Sequence, residues 1–140
     1  MRRARLLFAP VVLASLLACG QGAPELVSVQ LTLALEFGTD ALLEVFVVDA
    51  GAADCGALSS GAVDAEASAV EDGIRRVPAS RLNNGGEAAI DFDELPAEAP
   101  LVFYARARGG DQTVLADACQ GDVVIPNGGH VDVELKVTER

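Results

Sequence analysis

The chain has 140 residues, with 10 basic against 21 acidic and a net charge of −11. Nucleic-acid backbones and anionic bilayers are held by surplus Lys and Arg, so this balance argues against electrostatic binding to either. Aromatic residues make up only 4% of the chain, which supplies a platform for stacking sugars or bases poorly.

Residues 1–18 read as a leader and not as part of a folded domain. Arg2, Arg3 and Arg5 precede an apolar run over 6–17, and the small residue Ala18 follows. A charged start, an apolar stretch and a small residue before a cut are the parts of an export signal, which is removed. The run falls well short of the about 20 apolar residues of a membrane span. Its end, Leu16-Leu17-Ala18-Cys19, resembles the lipobox of bacterial lipoproteins. That resemblance implies a diacylglyceryl group on the Cys19 thiol, cleavage before Cys19 and acylation of the new amine, with palmitate as a typical chain. The competing reading is plain secretion, with a cut near Gly20 or Ala23 and no lipid.

Three of the basic residues and none of the acids lie in the leader, so its removal leaves 7 basic against 21 acidic residues, a net −14. Such a domain is expected to stay in water. Its hold on a membrane would come from acyl chains, each buried methylene contributing about 0.8 kcal/mol and two or three chains being needed for lasting attachment. With Cys19 lipidated, the odd count of three cysteines reduces to Cys55 and Cys119. In an oxidising compartment these form a candidate disulfide, the alternative being two buried thiols.

Residues 19–25 read as a lipidated N-terminus and short flexible spacer, and 26–140 as one domain of ordinary size. Val27, Val29, Leu31, Leu33 and Leu35 alternate with smaller or polar residues, the pattern of a half-buried strand. A turn is expected at Phe37-Gly38-Thr39-Asp40. A second strand over 42–48 places Leu43, Val45 and Val47 on one face and Glu44, Phe46 and Val48 on the other, and is expected to be the more covered of the two. The alanine-rich stretch 49–73 allows one short helix over 62–72 with a thin stripe of Val63, Ala67 and Val70, or a loop pinned through Cys55.

An edge strand is expected from Ile74 to about Leu82, because Pro78 cannot donate to a ladder. Asn83-Asn84-Gly85-Gly86 suits a tight hairpin turn, and Ala88, Ile90 and Phe92 continue as the next strand. After Leu95-Pro96, Leu101, Phe103, Ala105 and Ala107 are expected inward, against Val102, Tyr104, Arg106 and Arg108. Strands over 113–119 and 123–125 follow. The last places Val131, Val133, Leu135 and Val137 inward and His130, Asp132, Glu134 and Lys136 outward. About seven short strands separated by Gly, Pro and Asn predict an all-β, antiparallel β-sandwich, Ig-like or transthyretin-like.

The phrase Gly86-Glu87-Ala88-Ala89-Ile90-Asp91-Phe92-Asp93-Glu94-Leu95-Pro96, followed by Phe103-Tyr104-Ala105-Arg106-Ala107, resembles the middle of transthyretin-like and carboxypeptidase regulatory-like domains. The resemblance covers about half of the mature chain and implies a β-sandwich; it carries over no functional residue.

No catalytic set is read. His130 is the one histidine, so no site needing two imidazoles exists, and its place at a strand start reads as solvated. There is no Gly-x-Ser-x-Gly elbow and no Gly-x-x-x-x-Gly-Lys loop. Asp91, Asp93 and Glu94 are weak candidates for a calcium site, set against a charged outward face. No cofactor is expected. The reading is an envelope protein, anchored by lipid on Cys19 with its domain in the periplasm or outside the cell. It would bind or assemble with an envelope protein or other ligand, and an edge near 75–82 would accept a partner strand. The alternatives are an exported hydrolase using Asp91, Asp93 or Asp117, and a calcium-stabilised surface domain.

Overall fold

The computed structural model describes residues 26–33, 41–82 and 87–139. The leader with Cys19, the spacer and the turns expected at 37–40 and 83–86 lie outside the described residues. Seven strands carry the described fold: β1 (Leu26–Leu33), β2 (Leu42–Asp49), β3 (Ala69–Pro78), β4 (Glu87–Asp93), β5 (Pro100–Arg108), β6 (Val114–Val124) and β7 (His130–Glu139). Two short helices, α1 (Cys55–Ser60) and α2 (Ala65–Ser68), lie between β2 and β3.

The strands follow the order β3-β2-β5-β6-β7-β1-β4 in one curled sheet. The mostly β class holds, but the ladders do not separate into the two facing sheets of a sandwich. β6 and β7 are joined through Ala116 with Glu139 and Asp117 with Thr138, so the sheet stays continuous there. Register shifts between β5 and β6 mark bulges at either end of their ladder, and bulges increase local twist and bend the strand. Nor is every pair antiparallel: β1 runs parallel to β7, Val27 opposite Val131 through Leu33 opposite Val137. Period-two patterning fixes which face is buried and is silent on strand direction.

The inner face of the curl carries the main core. Leu43, Val45 and Val47 of β2, Leu101, Phe103, Ala105 and Ala107 of β5, and Val133, Leu135 and Val137 of β7 all turn into it, with Val27, Ile90 and Phe92. Each large aliphatic or aromatic side chain enclosed there stabilises the fold by about 1.5–3 kcal/mol. Phe92 meets Phe103 edge to face, with ring centroids 6.2 Å apart, the arrangement their quadrupoles favour.

β2 is buried on both faces, because the two helices lie on its other side. Phe46, Val48, Val102 and Tyr104 form a second core with Leu58 of α1 and Ala65 of α2. The stretch 62–72, which allowed one short helix or a loop, is corrected here. Its residues divide among a bend and cap at 62–64, α2 and the start of β3, while α1 begins earlier, at Cys55. Asp54 caps α1 by accepting from the Ala57 amide, and Gly61 ends it at φ 77°. Asp64 caps α2, accepting from the amides of Glu66 and Ala67. Those caps and the left-handed glycine set the boundaries, overriding the thin apolar stripe.

Candidate binding groove

Strand parity and register build the groove from separate parts of the chain. Glu44 on β2 shares its face with Phe46 and Val48, and Arg106 and Arg108 on β5 share theirs with Val102 and Tyr104. In the ladders Glu44 stands opposite Arg76 of β3 on one side and opposite Arg106 of β5 on the other. The helices cover the apolar half of this face, where Phe46 and Tyr104 stack at 6.4 Å. Its other half is a charged centre.

Glu44 is the buried member, with 2% of its side chain exposed. Arg76 Nε donates to its Oε2 at 3.0 Å, while Arg106 Nε at 3.1 Å and Arg108 Nη1 at 3.0 Å donate to Oε1. Burial alone would raise the Glu44 pKa, but hydrogen bonds from Arg108, Arg76 and Arg106 and the charge of Arg106 outweigh it and hold the carboxyl below its ordinary value. The hydrogen bond to Glu44 is the main cause that raises the pKa of Arg76.

The arginines reach beyond Glu44. Arg76 Nη2 donates to Glu66 Oε1 on α2 at 2.8 Å, Arg108 Nη2 donates to Gln112 Oε1, and the Arg106 guanidinium lies 4.8 Å from the centre of the Phe46 ring. Gln112 belongs to the β5–β6 turn, where Asp111 accepts from the Thr113 amide at 3.0 Å. That amide also lowers the Asp111 pKa. Two adjoining cavities open here. One of about 540 Å³ is bounded by Leu42, Glu44, Arg76 and the Gly109-Gly110 turn. The second, about 420 Å³, lies between Leu58, Val63 and Arg106, and both are lined by Glu66, Arg108 and Gln112.

The sequence-derived sites fall elsewhere. Cys55 at the start of α1 and Cys119 on β6 are joined in a disulfide, S–S 2.05 Å, at a sequence separation of 64. Asp117 on β6 accepts from Ser59 Oγ at 2.6 Å and from the Tyr104 hydroxyl at 3.3 Å. Asp91 and Asp93 lie on β4, which does not neighbour the β6 of Asp117 in the sheet. Asp91, Asp93 and Glu94 are exposed, and the described residues hold no group of three or more His, Cys, Asp or Glu placed to hold a metal ion. His130 is exposed at the start of β7, and its Nε2 donates to Asp132 Oδ1 at 2.8 Å.

Sequence reasoning placed Arg106 and Arg108 on the outward face and Glu44 on a mixed one, and missed their meeting. Four charged residues at alternating positions of apolar strands were the available signal, since a charge on a well-covered strand needs a partner.

No family model matches the chain, and no curated protein matches it. Among solved structures, the chain is similar to an alternative pilotin from the type II secretion system of Vibrio cholerae. That likeness has a TM-score of 0.51 at 12% identity, over 84% of this chain and 99% of the pilotin. A family 15 glucoamylase from Hypocrea jecorina gives a TM-score of 0.43 at 14% identity, over 84% of this chain and 18% of that one. The first likeness is one of fold.

Proposed function

We propose that this chain is a lipid-anchored protein of the bacterial cell envelope, and that its β domain binds or helps assemble another envelope component. The observation that carries the reading is the ordered leader, Arg2-Arg3-Ala4-Arg5, an apolar run, then Leu16-Leu17-Ala18-Cys19, in front of a domain stapled between Cys55 and Cys119. A bridge of that kind suits an oxidising compartment. The fold shared with a pilotin of a type II secretion system supports a role in assembly. In this reading the lipid on Cys19 holds the protein to a membrane, with the outer membrane favoured, and the domain stands in the periplasm or at the cell surface. The partner is a protein and not a nucleic acid, and no catalytic step is assigned. β3 ends the sheet order without a ladder on its outer side, and in this reading a partner strand takes that edge over 75–78 in place of the side-chain contact of Arg75 with β4.

Two measurements test the anchor and the role. The mature protein should begin at Cys19, carry the added mass of acyl chains and partition into detergent, and Cys19→Ala should abolish that partition. A mature chain starting elsewhere with unmodified mass overturns the anchor. Crosslinking in intact cells should then capture a defined envelope protein that substitutions along the β3 edge release; unchanged capture by those variants removes the edge as the docking element.

A further inference from the structure

We propose that the arginine groove is a docking site for an acidic peptide segment of the partner, whose carboxylate takes the place of Glu66 on Arg76 and reaches Arg108 across the groove. The inference rests on the binding-module reading and names the chemistry of what is bound.

Charge carries the argument. Once the leader is removed only 7 basic residues remain in the chain, and three of them, from two strands, converge on this groove. Glu44 uses one N–H of each guanidinium and is then enclosed. The second carboxylate answering them, Glu66, is of another kind. It sits on the four-residue helix α2 with 56% of its side chain exposed, and it pairs with the outer nitrogen of Arg76. Exposed pairs of this type contribute about 0–1 kcal/mol, so an incoming carboxylate exchanges with Glu66 at little cost. Guanidinium forks favour planar carboxylates, to which they donate in pairs.

The surroundings suit a peptide more than a free ion. Leu42, 36% exposed, lines the first cavity, and Leu58 and Val63 line the adjoining one. A segment with acidic and apolar side chains meets a complementary wall along this line, whereas a small oxyanion touches only the arginines. The Gly109-Gly110 turn, without side chains, lines the same cavity as Arg108.

The test uses the purified full domain with its disulfide intact and a fluorescein-labelled hexaglutamate peptide, read by anisotropy. Hexaglutamine of equal length is the control, and inorganic phosphate is the competitor. The glutamate peptide should bind and the glutamine peptide should not. Glu66→Gln, an exposed change that leaves the fold intact, should tighten binding roughly two- to fivefold, the range of an exposed ion pair. Arg108→Gln should weaken binding about tenfold or more, with circular dichroism establishing that the variant is folded. Equal binding of the two peptides, or no effect of Glu66→Gln, overturns the proposal. Displacement by equimolar phosphate overturns it in favour of a general oxyanion site. Concentration-dependent dimers strengthened by Glu66→Gln overturn it in favour of a second copy of this chain. These results are independent of the lipid and of in-cell crosslinking, so this proposal and the envelope reading fail separately.

Discussion

Arg75 of β3 lies over the ring of Phe92 on β4, its guanidinium carbon 4.8 Å from the ring centre. The two strands sit at opposite ends of the sheet order, so the curl brings its ends together through side chains without a ladder. Arg75 Nη1 is held by the carbonyls of Asp72 and Ile74, and Nη2 comes within 3.7 Å of Asp93. Because Asp93 is largely exposed, the ring contact supplies most of the effect. Arg75→Gln should destabilise the domain by about 1 kcal/mol, measured by urea unfolding. It should also speed hydrogen exchange in β3 and β4 more than in β5.

Removing the carboxylate at the charged centre should have a larger effect. Glu44→Gln leaves three guanidinium groups facing one another without the anion they share, a loss of about 3 kcal/mol. That figure sits at the lower end of the range for a broken buried pair, because Arg76 is two-fifths exposed and water can reach it. The measurement is the equilibrium unfolding free energy at neutral pH.

The same residue shapes the acid limb of stability. Its pKa is lowered in the folded chain from an ordinary 4.5, so below that value the unfolded chain takes up the proton first. The stability it contributes is complete above the ordinary value and is lost as pH falls toward the depressed one. Between pH 6 and 8 Glu44 should add no slope. Below about 4.5 the native protein should lose stability more steeply than Glu44→Gln, seen as a convergence of their unfolding curves at low pH.

The disulfide joins α1 to β6 across 64 residues. On the chain-entropy account, opening a loop of that size costs about 4 kcal/mol, within a usual range of 2–5. Paired Cys55→Ser and Cys119→Ser substitutions should lower the thermal midpoint, with the first hydrogen-exchange losses in α1 and the Ser59–Asp117 contact.

Gly73 is tightly enclosed although its backbone is ordinary. A Cβ there would lie 2.8 Å from Val70 Cγ2, 2.9 Å from the Val70 carbonyl oxygen and 3.0 Å from that of Val47. It follows Asp72 at φ 59°, where the β2–β3 register shifts between Phe46 and Val48. Backbone oxygens cannot yield as a flexible side chain does, so Gly73→Ala should cost about 1–3 kcal/mol. Gly61→Ala has open space for its Cβ but keeps the left-handed backbone at φ 77°, and should cost about 1 kcal/mol.

What the sequence made legible was facing. The alternation of Val133, Leu135 and Val137, of Leu101, Phe103, Ala105 and Ala107, and of Leu43, Val45 and Val47 places each on the inner core. The pairing of those strands was not legible, since direction and neighbour depend on residues far apart in sequence; β1 beside β7 has no local signature. The same gap hid the groove, for Glu44 meets Arg76 and Arg106 only through two separate ladders. The region around Cys55 was illegible for a different reason: α1 and α2 are only six and four residues long, too short for an apolar stripe to mark, and their ends are set by Asp54, Gly61 and Asp64.

β7 has a special place in the order of the sheet, between β6 and β1. Without it the β4–β1 pair and the β3-β2-β5-β6 group share no ladder among the described residues. A chain ending before His130 would therefore be severed down the middle and not merely shortened at a margin.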